Sequence, residues 1–230
     1  MAEILIIAAH PDDEILGSGG TIRRLVEEGK EAQCLILTGG VTGRYDKSDE
    51  NHPEIPAQLE QLHRQSMAAS QVIGFKQTEF CNLPDNRLEE LPFLDIIKLI
   101  EQKLMEIKPS IIFTHHYGDL NIDHRITFEA VMTAARPVGE YSATEIYCFE
   151  TFSSTEWEFT YNKSFRPNVF YNIENTFVDK AEAMKCYASE LREYPHPRSI
   201  DALEAAARRW GTVVGCKMAE AFELIRKVVK

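Results

Sequence analysis

The sequence predicts an α/β fold, a doubly wound and mostly parallel sheet with a mixed C-terminal extension, on three observations. Short, near-continuous apolar runs recur between segments of helical period, as strands buried on both faces require. In the first third the order is strand, helix, strand, a unit whose crossover is right-handed. After Thr151 the pattern changes to short, aromatic-rich segments. No linker, internal repeat or low-complexity tract divides the chain. Residues 1–230 therefore read as a single domain, long enough for one substantial core.

Residues 3–9 (EILIIAA) form the first strand. Ser18 then caps a helix whose apolar positions Ile22, Leu25 and Val26 recur at helical spacing, with Gly29 as its stop. Residues 31–38 (EAQCLILT) form the second strand, and the polar stretch 39–56 is a loop. A helix over 57–73 stops at Gly74, residues 77–82 make a short strand, and 88–107 a longer helix closed by Pro109. Residues 110–114 (SIIFT) are another buried strand, followed by a loop over 115–121, a helix from about 123 to 135 and a strand over 145–150. Segments 157–161 and 168–172 suggest short, antiparallel strands. Helices over 176–191 and 200–223 complete the pattern.

The formal charge is −11, from 25 basic and 36 acidic residues. Such a chain repels phosphate backbones, which disfavours nucleic acid as a partner. The five cysteines are odd in number, widely spread and form no C-x-x-C pair. That argues against a disulfide framework and a cysteine zinc site, and points to a reducing cytoplasm. The N-terminal apolar run is too short for a signal peptide, and no stretch approaches the roughly 18 apolar residues of a membrane span. Asn162-Lys163-Ser164 matches a glycosylation sequon without meaning in that compartment.

Chemistry concentrates in two places. His10-Pro11-Asp12-Asp13-Glu14 follows the first strand, at the sheet edge where open α/β sheets collect ligands. An imidazole and a carboxylate three residues apart can point at one divalent ion, and Asp12 beside them can take a proton from metal-activated water. A proline turn in which Asp13 caps the next helix explains an isolated H-P-D-D equally well. The second place is residues 115–125 (HHYGDLNIDHR), with three of the seven histidines. His115 and His116 fit a polar loop, whereas His124 completes a His, Asp, His set with an open position. Nearby aspartates can orient its ring.

A-A-H-P-D-D-E-I-L-G-S-G-G-T at 8–21 and G-D-L-N-I-D-H-R at 118–125 resemble the PIG-L/LmbE-like N-acetyl-sugar deacetylases. Residues 215–222 (GCKMAEAF) extend the likeness over nearly the whole chain. The resemblance implies a Rossmann-like three-layer sandwich and one zinc ion per chain held by His10, Asp13 and His124. It implies Asp12 as general base and Asp123 as the oriented partner of the D-H pair. The implied reaction releases acetate from an N-acetylated amino sugar or its conjugate. Where many relatives carry a histidine three residues before the ligand histidine, this chain has Asn121. An amide can donate to an oxyanion but cannot give up a proton, so the acid is either Asp12 after acting as base, or His196.

Tyr194-Pro195-His196-Pro197-Arg198 is a stiff loop able to hold donors over a site. Arg64, Asp85, Asn121 and Arg198 are candidate substrate contacts, and Arg44 a weaker one. The aromatics Phe149, Phe152, Trp157, Phe159 and Tyr161 are expected in the core. Two readings compete with the deacetylase: an amidase or esterase on another acylated small molecule, and a non-catalytic Rossmann-like binding module. Against the latter, Gly17-Ser18-Gly19-Gly20 lacks G-x-G-x-x-G spacing and no acidic residue closes the second strand. The acceptor of the acetyl group and association into a homo-oligomer stay open.

Overall fold

Five strands of the sheet run parallel: β1 (Ile4–Ala8), β2 (Ala32–Thr38), β3 (Gln77–Leu83), β4 (Ile111–His115) and β5 (Glu145–Phe149). Beyond β5 lie β6 (Val169–Asn172) and β7 (Ala219–Lys227), with β7 antiparallel to both β5 and β6. The order is β3-β2-β1-β4-β5-β7-β6 in this computed structural model, which describes residues 3–46, 49, 51–139, 141–160 and 163–229. Helices α1 (Asp13–Glu27), α2 (Ile55–Ile73), α3 (Phe93–Ile107), α4 (Ile122–Ala134), α5 (Phe177–Cys186) and α6 (Ile200–Val214) cover the two faces.

Alternation along β1 sorts the core. Ile4 and Ile6 pack with α1, α2 and α5, while Leu5 and Ile7 pack with α3 and α4. Each such side chain, removed fully from water, contributes about 1.5–3 kcal/mol. The result is the three-layer arrangement the sequence predicts. After β1 the chain passes to β2 on one side, and β4 pairs on the other. That reversal opens a crevice at the carboxyl ends of β1 and β4.

Several expectations are corrected. The first helix starts at Asp13; Ser18 lies inside it and donates to the Glu14 carbonyl at 3.0 Å. The loop 39–56 contains a 3₁₀ turn at Thr42–Arg44 and gives way to helix already at Ile55, where Pro56 tolerates the first turn. The long helix over 88–107 is split into a 3₁₀ turn at Leu88–Glu90 and α3, because Pro92 cannot continue a helix. In place of a strand over 157–161, a 3₁₀ turn covers Thr155–Trp157; Tyr161, like Asn162 of the sequon, lies outside the described residues. The helix over 176–191 ends at Cys186. The largest change is at the C-terminal side: Gly215, at φ 78°, ends α6, and residues 219–223, expected as the end of that helix, open β7, which runs to Lys227. No helix among the described residues is long and apolar enough to cross a membrane.

Candidate metal centre

The crevice is pinned at its base. Ala9 N, just past β1, donates to His115 Nε2 at 2.8 Å, and His115 Nδ1 meets Thr151 Oγ1 at 3.1 Å. Both ring nitrogens of His115 are thus engaged, and burial keeps the imidazole well below the ordinary histidine range. It is a buried strut for the strand ends, not a loop filler. His116 is buried as well, with Nε2 on the Lys163 carbonyl at 2.9 Å.

The turn after β1 is strained and locked. Asp12 sits at φ 109°, a conformation that costs a non-glycine residue about 1–3 kcal/mol. Its N–H donates to Glu14 Oε2 at 3.0 Å, and Glu14 Oε1 accepts from the Tyr187 hydroxyl at 2.5 Å. Asp12 occupies the N-cap position of α1 without a side-chain cap bond. Asp13 does not cap the helix either: its Oδ2 accepts from His10 N at 2.8 Å, turned back toward the strand. The capping alternative is therefore excluded.

Three atoms converge there. His10 Nδ1 lies 3.1 Å from Asp13 Oδ2 and 3.1 Å from His124 Nε2, and His124 Nε2 lies 3.3 Å from Asp13 Oδ2. A tetrahedral ion with ligands at about 2.0–2.1 Å separates them by roughly 3.3 Å, so this triangle fits one face of such a site. The outer nitrogens face carboxylates: His10 Nε2 faces Asp85 Oδ1 at 3.1 Å and Asp123 Oδ2 at 3.2 Å, and His124 Nδ1 faces Asp119 Oδ1 at 3.1 Å. With protons directed outward, both inner nitrogens would be acceptors, and a shared cation would satisfy them together with Asp13.

The electrostatics mark the triangle as a place that attracts positive charge, which protons supply when no cation is bound. Burial would lower the His124 imidazole, but Asp13 and Asp119 outweigh it and lift it to about 9. Burial would likewise lower His10, yet Asp123, Asp13 and Asp85 hold it well above the ordinary histidine range. Against burial, His124, His115 and His10 keep the Asp13 carboxyl well below the usual carboxylate range. Asp119 falls to about 2 despite its burial, because His124, Ser154 and Thr155 favour its charge.

A cavity of about 230 Å³ opens over this triangle. Asp12 enters it with Oδ2 3.1 Å from Arg198 Nη1. Burial and the charge of Asp13 push the Asp12 carboxyl well up, while Arg198 pulls it back. Arg198 Nη1 also reaches Glu190 Oε2 at 3.3 Å, and Glu190 Oε1 binds Arg44 Nη2 at 2.5 Å. Asp12 is thus the first member of a charged row along the cavity wall.

The predicted site residues divide accordingly. His10, Asp12, Asp13 and His124 meet in the cavity, with Arg198 beside Asp12. Asp123 lies behind His10, its carboxylate accepting from Asn86 N at 2.7 Å and Leu88 N at 3.1 Å. Asp85 lines the cavity but faces His10 and accepts from Gly43 N, the geometry of a brace for the ring. Asn121 caps α4, accepting from Asp123 N at 2.8 Å, and its amide donates to Asn86 Oδ1 at 2.9 Å.

His196 is outside the cavity lining: its Nδ1 accepts from Arg198 N at 3.1 Å, and its ring meets Trp157 edge-on. Arg64 is also outside it, exposed on α2 and paired with Glu60 at 2.5 Å. Of the aromatics expected in the core, Phe149 is buried and Phe152 lines the cavity, but Trp157 and Phe159 are exposed because the segment after β5 is irregular. Glu190, Asn86, Ser154 and Thr155 escaped sequence reasoning, since each reaches the site from a distant segment without a motif.

These features can be set beside known proteins. The uncharacterized deacetylase YaiS of Escherichia coli K12 is 30% identical over 192 residues, covering 81% of this chain and 90% of that protein. The diacetylchitobiose deacetylase of Thermococcus kodakarensis is 25% identical over 97% of this chain and 83% of its own length. The crystal structure of the conserved protein TT1542 from Thermus thermophilus superposes with a TM-score of 0.79 at 24% identity, covering 100% of this chain and 97% of that one, which shows the same fold. The family described as PIG-L, GlcNAc-PI de-N-acetylase, matches residues 5–135, more than half of the chain and including both loops that carry His10, Asp13 and His124, and the chain belongs to that family.

Proposed function

We propose that the chain is a zinc-dependent deacetylase, built as one domain, that removes the acetyl group from an N-acetylated amino sugar or a conjugate of one. The observation that carries this reading is the triangle of His10, Asp13 and His124 with Asp12 beside it in one cavity. Family membership and the named substrates of relatives such as the diacetylchitobiose deacetylase supply the acyl-amine class. The five free cysteines fit the reducing cytoplasm expected from the sequence.

His10 Nδ1, Asp13 Oδ2 and His124 Nε2 would hold the ion, and the chemistry it supplies when bound is Lewis acidity toward water and the acetamide carbonyl. Asp123 and Asp85 keep the His10 ring oriented, and Asp119 does the same for His124. Asp12 is the general base, held over the cavity by Arg198. Its carboxylate, paired with Arg198 at the cavity wall, would take the proton from water and return it to the departing amine. Asn121 has its amide engaged by Asn86, and His196 stays outside the cavity, so neither is assigned as the acid.

The test is acetate release from free N-acetyl sugars, sugar nucleotides and glycolipid analogues, with added zinc and with a chelator. Chelator-sensitive release from one class is the expected result. A protein without stoichiometric metal or measurable zinc affinity refutes the reading.

A further inference from the structure

Behind Leu16 and Phe152 of the cavity wall, Lys180 on α5 and Glu220 on β7 form a buried ion pair, Nζ to Oε1 at 2.6 Å. Burying two charges is expensive, and apolar residues of similar size often serve stability as well or better. What distinguishes this pair is where its remaining valences go. Lys180 Nζ donates to the Leu16 carbonyl at 2.7 Å, and Glu220 accepts from Gly20 N at 3.0 Å and Thr21 N at 2.7 Å. Thr176 Oγ1 adds a bond to the Gly20 carbonyl at 2.8 Å. All four grips fall on the main chain of α1, across a stretch containing Gly17, Gly19 and Gly20, which offers almost no side chain for packing to hold. At Gly17 a Cβ would overlap Phe149, and at Gly20 it would press on Ile173. The gripped segment begins one turn beyond Asp13, and Leu16 N in turn donates to the Asp12 carbonyl at 2.9 Å.

We propose that Lys180 and Glu220 are positioning residues that set the axial placement of α1, and through it where Asp12 and Asp13 stand relative to His124. This rests on the metal-site reading above. The test uses the full chain carrying Lys180→Met, Glu220→Gln, or the double change Lys180→Met with Glu220→Leu, which removes both charges together and so leaves neither buried alone. Zinc dissociation constants come from chelator competition, and cobalt-substituted protein reports ligand geometry by its visible spectrum. Leu104→Ala, on the opposite face of the sheet, serves as a control that loosens the core without touching α1.

The expected result is zinc affinity reduced about 10- to 100-fold and an altered cobalt spectrum in the double variant at near-native Tm, with the control within about twofold of the parent. Parent-like affinity and spectrum in the folded double variant overturn the proposal and leave the metal site standing. A parent chain that binds no zinc overturns the metal reading itself and the positioning role with it.

Discussion

The turn after β1 carries His10, Asp12 and Asp13 within a single turn of chain, and it is held largely by its own atoms: His10 N on Asp13, Asp12 N on Glu14. The loop after β4 delivers His124 only after a longer excursion, and its supports come from elsewhere. Asp119 takes hydroxyls from Ser154 and Thr155, and Asp123 takes main-chain donors from Asn86 and Leu88. The loop after β1 stores strain at Asp12 and fixes its own turn locally. The loop after β4 is unstrained at His124 and depends on remote segments. Damage can therefore reach the second loop directly from residues far away in sequence, whereas remote residues act on the first only through α1, where Lys180 and Glu220 grip its main chain.

The largest effect tests the self-contained turn. Asp13→Ala should abolish stoichiometric zinc binding and all turnover, because the carboxylate that joins both histidines is lost; metal analysis after dialysis reads this directly. Asp12→Asn should lower kcat by about 10²–10⁴-fold while zinc stays bound. Loss of metal in that variant would mean that the two aspartates exchange roles.

Asp119→Asn attacks the remote supports. Zinc affinity should fall about 10- to 100-fold with the three ligands intact, and chelator competition measures it. An unchanged affinity would show that the loop after β4 holds His124 without its scaffold.

The smallest effect on the site belongs to Glu150, which neither loop uses. Burial raises its carboxyl from the ordinary 4.5 to about 7, against the Trp210 indole bonded to it at 2.5 Å. The folded value lies above the unfolded one, so the contribution to stability is complete below about pH 4.5 and is lost as pH rises through 7. The difference between the two values corresponds to roughly 3 kcal/mol. Thermal unfolding followed from pH 5 to pH 8 should show a decline that Glu150→Gln reduces, with zinc affinity unchanged.

The contrast between the loops also explains what the sequence disclosed. The β1 turn was legible because its function and its support lie in the same few residues, so H-P-D-D carries both. The parallel half of the sheet was legible for a similar reason, since strands buried on both faces write unbroken apolar runs. His124 could be read from its neighbour Asp123 and the second motif. Glu190 and Ser154 could not, because nothing in their own surroundings marks a destination in the cavity. Residues 219–223 misled because Ala219, Ala221 and Phe222 also fit a helix, and only the break at Gly215 argued otherwise.

Strand β7 has a consequence for the order in which the molecule can be completed. The five parallel strands contain their own pairings and can associate as soon as β5 has been made. Strand β6 cannot join them, because its pairing partner is β7, which is synthesised later. Glu220 arrives on that same strand. During synthesis a nearly whole sheet would therefore stand with β5 as an open edge and with α1 lacking one side of its grip, a state prone to wrong pairing until closure. Side chains written near residue 10 thus reach their final arrangement only when residue 220 has been added, and the cavity is among the last parts of the protein to become real.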